Sequence, residues 1–212
     1  MRTLLIAAFA ALASATIAHA QAERSIDALR VFGLVPGYEA LAPETRSHIA
    51  LRYTITREDG SPVTVAPALV RDGVRRTLAL DATGRVRDLP TAADIAGAQL
   101  VVATADGRLT AAATLDPNLP LTGEIAVADI ARALTQAQAA VAAADAAAGL
   151  GSLRLRAVVF TLPPGASATA RFANGGQRPL TLGPRGFAAV PEELTGAEAI
   201  VFSQPPTAAS FG

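Results

Sequence analysis

Two stretches of the chain, separated by about 100 residues, carry the same succession of turn and strand residues. In the first stretch the matched features are, in order, Asp72-Gly73, Leu78-Ala79-Leu80, Gly84, Leu89-Pro90, Gly97-Ala98 and Leu100-Val101-Val102. In the second stretch they are Gly175-Gly176, Leu180-Thr181-Leu182, Gly186, Val190-Pro191, Gly196-Ala197 and Ala199-Ile200-Val201. From the leucines onward the offset between matched features falls only from 102 to 99 residues, which is typical of a duplicated unit with small length changes in its loops.

The alternation of apolar and polar residues in these stretches predicts strands rather than helices. Upstream of the first matched feature, for example, Ile49, Leu51 and Tyr53 alternate with polar or small residues. Asp-Gly pairs between the strands tolerate the positive φ angles that tight hairpins need. The sequence therefore predicts a mainly β fold with one central α-helix. Two related antiparallel β modules, sandwich-like and produced by an internal duplication, are expected at 45–120 and 150–205.

Ten strands are predicted within the two modules, and less regular segments flank them. The strands are expected at 48–56, 63–70, 74–80, 99–104, 109–115, 153–162, 168–172, 180–182, 187–190 and 199–203. Residues 91–97 are predicted to form one helical turn. Residues 21–47 are expected to be an irregular lead-in with one short helix, and 206–212 a flexible tail.

The segment 126–149 differs from its surroundings because alanine dominates it. Ile130, Leu134 and Val141 recur there at helical spacing, which predicts a long helix with one apolar face that ends near Gly149. Two alternatives remain open for that face. It covers a sheet of its own chain, or it forms a homodimer contact through 130–148.

The first 20 residues have the form of a secretory signal peptide. Arg2 precedes an apolar run, and Ala18-His19-Ala20 is the small-x-small pattern that signal peptidase cleaves. The apolar run is too short to span a bilayer, so no transmembrane anchor is expected after cleavage. We therefore expect a mature chain that begins at Gln21 and resides in the periplasm.

The composition excludes several classes of function. The full chain has 18 basic and 18 acidic residues, so it offers no electrostatic case for binding nucleic acid. It contains no cysteine and no lysine, which removes disulfides, thiolate metal sites and Schiff-base chemistry. After cleavage only His48 remains as a histidine. No metal site and no cofactor are therefore expected.

The order of features resembles an uncharacterised family of exported proteobacterial proteins of unknown function. The elements that carry the resemblance are Asp81-Ala82-Thr83-Gly84-Arg85-Val86, Leu89-Pro90, the middle helix and the closing Ile200-Val201-Phe202-Ser203-Gln204-Pro205-Pro206. The resemblance covers nearly the whole mature chain. It implies an exported protein with a domain of unknown function, and it transfers no catalytic residues.

Catalysis has few candidate residues. A serine–histidine–acid mechanism would have to use His48, but no serine of the chain lies in a Gly-x-Ser-x-Gly motif. We expect His48 to be a solvated residue at a strand edge. The acidic pairs Glu58-Asp59 and Glu192-Glu193 leave carboxylate catalysis open, although Asp residues at turns are explained by local hydrogen bonding.

Five arginines cluster around one predicted hairpin of the first module and form the candidate binding site. They are Arg71, Arg75, Arg76, Arg85 and Arg87. They would bind an anionic small molecule or an acidic protein partner in the cell envelope by bidentate contacts, or they keep an exposed sheet edge soluble. The sequence thus predicts a non-catalytic periplasmic protein with a binding or envelope-accessory role. The alternative is a periplasmic hydrolase that uses carboxylates or His48.

Overall fold

The computed structural model of the chain describes residues 22–148, 155–183 and 186–212. The predicted signal peptide at 1–20 lies outside the described residues. So does the predicted end of the long helix at Gly149.

The fold is mainly β with several antiparallel sheets and one long helix, which confirms the predicted fold class. The strands are β1 (Glu23–Asp27), β2 (Ile49–Arg57), β3 (Ala68–Arg71), β4 (Val74–Thr77), β5 (Gln99–Ala103), β6 (Leu109–Pro117), β7 (Glu124–Ala126), β8 (Val158–Thr161), β9 (Ala168–Phe172), β10 (Gln177–Pro179), β11 (Phe187–Ala189), β12 (Ala197–Phe202) and β13 (Ala208–Phe211). The helices are α1 (Ala28–Val31), α2 (Leu34–Ala40), α3 (Ala92–Ile95) and α4 (Val127–Ala148), with 3₁₀ turns at Pro43–Arg46, Thr104–Asp106 and Pro191–Leu194.

The first half of the chain forms two small sheets. One sheet has the strand order β1-β5-β3-β4 and the other pairs β2 with β6, all antiparallel. The hairpin predicted between β3 and β4 is present, because Asp72 and Gly73 adopt φ angles of 51° and 77°. These are the two positive φ angles that a type I′ turn requires.

Both sheets of the first half contribute to one apolar cluster, the first cluster. It contains Leu69 and Leu100 from the first sheet, Tyr53 and Ile55 from β2, and Phe32 from the segment between α1 and α2. The rings of Phe32 and Tyr53 lie 5.0 Å apart between centroids, at a tilt that aromatic pairs favour. The alternating residues of β2 therefore bury one face, as their period of two predicts.

The second half also forms two sheets around a shared cluster, the second cluster. One sheet has the order β10-β9-β12-β7, and the other has the order β11-β8-β13. Phe160 and Phe187 from one sheet meet Ala170, Ile200 and Phe202 from the other in this cluster. Small alanines on β9 and β12 leave room for the phenylalanines, and burial of these apolar groups holds the sheets together.

Helix α4 covers the second cluster with its apolar face. Its buried residues are Ile130, Ala133, Leu134, Ala137 and Ala140, and the helix also contacts α2. The face is therefore occupied within the chain, as expected if the helix covers a sheet. A homodimer contact through 130–148 would have to use the remaining sides of the helix.

Three predictions of secondary structure are wrong. The tail at 206–212 is not flexible, because its residues form β13, which pairs with β8 along four residues. The lead-in at 21–47 is not irregular, because it contains β1, α1 and α2. The strand expected at 180–182 is absent from this described segment, and the pairing strand lies just before it, at β10.

The two clusters meet at two half-buried side chains. Tyr38 of α2 and Leu115 of β6 each pack against both clusters. The Tyr38 hydroxyl also donates a hydrogen bond to the Ile49 carbonyl oxygen, at 3.1 Å, at the start of β2. The halves therefore have two cores joined at one seam, where Ile49 of β2 also belongs to the second cluster.

Candidate functional site

Three of the five candidate arginines lie on the β3–β4 hairpin, and acceptors of the same chain engage all three. Arg75 reaches from β4 to Glu23 on the opposite edge of the sheet with two hydrogen bonds, of 3.0 and 2.8 Å. The hydrogen bond from Arg75 lowers the pKa of Glu23, and the same contact raises the pKa of Arg75. Arg75 is thus committed to a bidentate contact within the chain.

Arg76 and Arg71 line a shallow groove of about 230 Å³ beside α3. Arg76 donates to the Asp94 carboxylate at 2.7 Å, and Arg71 donates to the carbonyl oxygen of Ala93. Asp94 also closes the capping box of α3, and the hydrogen bond from the Thr91 backbone N–H lowers the pKa of Asp94. The Asp94 carboxylate therefore already occupies the position beside Arg76 that an anionic ligand would take.

The other two candidate arginines lie on a different sheet. Arg85 forms a bridge with Thr54 of β2, and the next residue, Val86, donates its N–H to the Tyr53 carbonyl oxygen at 2.8 Å. Arg87 continues this segment and donates its N–H to Ala79. The structure does not unite the five predicted residues into one site, and the alternative of a soluble, charged edge fits the hairpin better than an open anion site.

His48 lies at the start of β2 between a serine and a carboxylate. Its Nδ1 is 2.8 Å from Ser47 Oγ, and its Nε2 is 3.5 Å from Asp129 Oδ1 in the first turn of α4. The imidazole lies at the strand edge, as expected, but it is only 20% exposed, because the packing of α4 against β2 covers part of it.

A buried glutamine of α4 fixes the segment that carries Ser47 and His48. The amide oxygen of Gln136 accepts the backbone N–H of His48 at 2.7 Å. Its amide nitrogen donates to the Glu44 carbonyl oxygen at 2.9 Å and to Ser47 Oγ at 3.3 Å. Ser47 Oγ also lies 3.1 Å from the Glu44 carbonyl oxygen, as a donor. The serine hydroxyl therefore belongs to a network that closes the junction between the 3₁₀ turn and β2.

A cleft of about 750 Å³ lies on the outer face of the sheet β11-β8-β13. Small neutral side chains from all three strands line its floor, among them Thr161, Ala188 and Ser210. Gly183 and Gly186 form one wall, and Glu193 stands at the rim. Its volume lies in the range of small-molecule sites, and its surface is mainly apolar.

The glycine in this wall is required by close backbone contact. Gly186 has a φ of +110°, and a Cβ at this position would lie 2.1 Å from the Phe160 carbonyl oxygen. In the sequence Gly186 stands out only as a marker of the repeat, and the cleft was not predicted. The available signal was the outward face of the strands, where Thr161, Ala188 and Ser210 are small on every strand of the sheet.

Neighbouring side chains engage the first acidic pair named as a catalytic candidate, Glu58-Asp59. Glu58 lies 3.5 Å from Arg108, and Asp59 accepts hydrogen bonds from Ser61. The Ser61 hydroxyl and backbone N–H lower the pKa of Asp59, which is the behaviour of a turn aspartate. Within the described ranges, no three histidine, aspartate or glutamate side chains are grouped so that they could hold a metal ion.

Comparisons with known proteins found no matching family model, no matching curated protein and no matching solved structure. In the part of the chain that the structure describes, no helix combines the length and hydropathy needed to cross a membrane.

Proposed function

We propose that the protein is a non-catalytic binding protein of the cell envelope that holds a neutral, mainly apolar small molecule in the cleft on β11-β8-β13. The carrying observation is the cleft itself, with a volume of about 750 Å³. Its small side chains leave space above the sheet, and its hydroxyls at Thr161 and Ser210 offer hydrogen bonds that orient a ligand. In contrast, Arg71, Arg75 and Arg76 of the first half already bind acceptors of their own chain.

A fluorescent neutral dye tests this proposal. Nile red titrated into the purified protein is expected to bind with a single site and a blue-shifted emission. Ala188→Phe and Ser210→Phe place bulk on the cleft floor and should each weaken binding by about tenfold or more, since each ring fills space that the ligand would occupy. Ala139→Phe on the exposed side of α4 is the matched control and should leave binding unchanged. Binding that is absent, or equal in all four proteins, would contradict the proposal.

A hydrolase that uses Ser47, His48 and Asp129 is the second candidate, because these three side chains converge. In such a reaction Ser47 Oγ would attack an ester carbonyl while His48 Nδ1 takes the hydroxyl proton. The proton would pass to the departing alkoxide, and water would then release the acyl group from the serine. Asp129 would hold the Nε2–H of His48. The binding proposal is preferred because Gln136 and Glu44 also engage the serine hydroxyl.

A fluorophosphonate probe separates the two candidates. If the hydrolase proposal holds, the probe labels Ser47, and labelling disappears in His48→Gln and in Ser47→Ala. If Ser47 serves the junction alone, the probe leaves the protein unlabelled while Nile red binding persists. Peptide mapping by mass spectrometry identifies the labelled residue, and circular dichroism checks that each variant is folded.

We also propose that the chain is exported to the periplasm and cleaved after Ala20. The support is the sequence pattern at residues 1–20 alone. N-terminal sequencing of the protein from a periplasmic fraction should begin at Gln21. Recovery of the chain in the cytoplasm with Met1 or Arg2 at its start would overturn this proposal.

We propose further that the two halves derive from one duplicated unit. The sheets β1-β5-β3-β4 and β7-β12-β9-β10 have the same topology, which supports the proposal: ranked by their order in the chain, the strands of each sheet stand side by side as first, fourth, second and third. Equivalent backbone contacts recur as well: Leu78 donates its N–H to Pro67 at 2.8 Å, and Leu180 donates to Ala168 at 2.9 Å. Between these contacts the second hairpin, 168–180, is one residue longer than the first, 67–78, which is a loop-length change of the kind expected in a diverged copy.

A further inference from the structure

Strand β6 leaves one long edge of its sheet open. Among the described strands it pairs only with β2, and every residue of 110–114 is exposed. The run 109–115 contains no charged residue, proline or glycine, which are the residues that usually protect an edge. The strand contacts β13, and Leu115 at its far end packs against the second cluster. The exposed part, 110–114, is therefore an edge without a strand partner among the described residues.

The hydrogen bonds to β2 determine which backbone groups of β6 face outward. Glu58 donates its N–H to the Arg108 carbonyl oxygen at 2.9 Å, and Asn118 donates to the His48 carbonyl oxygen at 2.8 Å. In an antiparallel ladder the bonded residues alternate, so even-numbered residues of β6 bond to β2. The N–H and C=O groups of Leu109, Ala111, Ala113 and Leu115 consequently point to the open edge.

The sequence of this edge is the same when it is read in either direction. Leu109-Thr110-Ala111-Ala112-Ala113-Thr114-Leu115 is a palindrome centred on Ala112. A two-fold axis at Ala112 would place Ala111 opposite Ala113 and Leu109 opposite Leu115 of a second copy. These are the outward-facing residues, so each of the four pairs would exchange two backbone hydrogen bonds. The residues whose backbone groups face the open edge are thus the same residues that a two-fold axis at Ala112 would pair.

The charges at the two ends of the palindrome are complementary in the same register. Arg108 precedes it and Asp116 follows it, so the two-fold axis would place each Arg108 opposite Asp116 of the second copy. The Arg108 side chain is 82% exposed, and its present partner, Glu58, is 3.5 Å away. Asp116 lies 3.1 Å from Arg52 on the same face. An axis moved by one residue to Ala111 would face Arg108 with Thr114 instead.

We propose that a second copy of this chain pairs with β6 antiparallel about Ala112 and forms a homodimer with the continuous sheet β2-β6-β6-β2. The palindrome supplies equal partners, the open edge supplies backbone donors and acceptors, and the Arg108–Asp116 pairs set the register. Strand pairing alone buries less surface than a standard interface, so the dissociation constant should be on the order of 10–100 μM.

Sedimentation equilibrium of the purified protein across this concentration range tests the proposal. We expect a reversible monomer–dimer equilibrium in the wild type. Ala113→Pro removes an N–H that faces the open edge and spares the bonds to β2, so it should give a folded monomer. A wild type that stays monomeric at about 500 μM, or a dimer that Ala113→Pro leaves intact, would overturn the proposal.

A charge exchange tests the register. Arg108→Asp alone and Asp116→Arg alone each place like charges opposite one another in a homodimer, and each should weaken the dimer by about tenfold. An equimolar mixture of the two variants restores both opposite-charge pairs and should form a heterodimer with the affinity of the wild type. Dimers that respond equally in the single variants and in the mixture would contradict this register. Circular dichroism confirms that both variants are folded.

Discussion

Asp106 is a buried carboxylate, 2% exposed, that serves the fold of the first half. It accepts hydrogen bonds from the Thr64 backbone N–H at 2.7 Å, from the Thr64 hydroxyl, and from the Val65 N–H at 3.2 Å. Burial raises the pKa of Asp106, but these hydrogen bonds to the ionised form outweigh it, and the pKa is lowered overall. The carboxylate thereby ties the segment between β2 and β3 to the turn after β5.

We predict that Asp106→Asn lowers the free energy of unfolding at pH 7 by about 2 kcal/mol, because the amide group places a donor against N–H groups of the chain. Since the folded-state pKa lies below the unfolded one, this stabilisation is complete above about pH 5 and is lost as the pH falls through the folded value. The difference between variant and wild type should therefore shrink at pH 3. Urea unfolding at both pH values measures it.

Asp72→Asn is the matched control for this prediction. The Asp72 side chain is 92% exposed at the hairpin turn, and asparagine tolerates its positive φ equally well. Its unfolding free energy should match the wild type at both pH values. An Asp106→Asn effect that is the same at pH 3 and pH 7 would remove the carboxylate from the explanation.

Gly84 and Gly186 are predicted to be equally intolerant of a side chain. A Cβ at Gly84 would lie 2.3 Å from the Ile55 carbonyl oxygen, and a Cβ at Gly186 would lie 2.1 Å from that of Phe160. Gly60 has a similar φ of +82° but meets no described atom within 4 Å, so Gly60→Ala should cost only about 1 kcal/mol. Gly84→Ala and Gly186→Ala should each cost at least twice as much in thermal unfolding. Equal losses in all three would show that φ alone matters.

Local chemistry allowed some of these residue roles to be predicted from sequence, but not the pairings. The Asp72-Gly73 turn is predictable because both residues tolerate the φ that the turn needs. The neutralisation of Arg75 by Glu23 is not, because the two residues lie 52 positions apart and meet only across a finished sheet. The cluster of arginines therefore looked free in the sequence and is largely engaged in the structure.

At the scale of elements, Gln136 joins α4 to the start of β2. Its side chain is 7% exposed and makes three hydrogen bonds with 44–48. Gln136→Met keeps the volume but leaves the His48 N–H without its acceptor and removes one of the two side-chain donors to the Glu44 carbonyl oxygen. We predict a loss of about 2–3 kcal/mol and faster amide exchange in 44–48.

Gln138→Met is the control for this prediction on the same helix. Gln138 is exposed and donates one hydrogen bond, to the Leu155 carbonyl oxygen at 2.9 Å, so its loss should be below about 1 kcal/mol. Hydrogen exchange measured by mass spectrometry reports both the size and the place of the change. Equal effects of the two substitutions would show that Gln136 does not join these elements.

The predicted elements agree with the structure where a strong apolar period in the sequence marks one buried face of the segment. Strand β2 and helix α4 have strong periods of two and of three to four residues, and both were predicted close to their observed bounds. The strands β1, β7 and β13 were missed because they are short and partly polar, and a partner strand supplies most of their order. The long-range pairing that selects them leaves little local pattern.

For the whole molecule, the separate clusters raise the question of whether the halves unfold together. Tyr38 and Leu115 are the side chains that pack against both clusters, and the contact between α2 and α4 lies beside Tyr38. The two halves unfold together only if the contacts at the seam contribute at least as much free energy as the difference in unfolding free energy between the halves. Loss of the Tyr38 ring removes apolar contacts from both clusters at once.

We therefore predict that wild-type protein loses protection in both halves at one denaturant concentration, whereas Tyr38→Ala separates them. Peptides from β2 and from β8 report the two clusters in hydrogen exchange at increasing urea. Tyr38→Phe removes only the hydrogen bond to Ile49 and should keep a single transition, lowered by about 1 kcal/mol. Two transitions in the wild type would show that the seam carries no coupling. In that case the two halves would be independent domains that share a chain, and the cleft of the second half would not depend on the first.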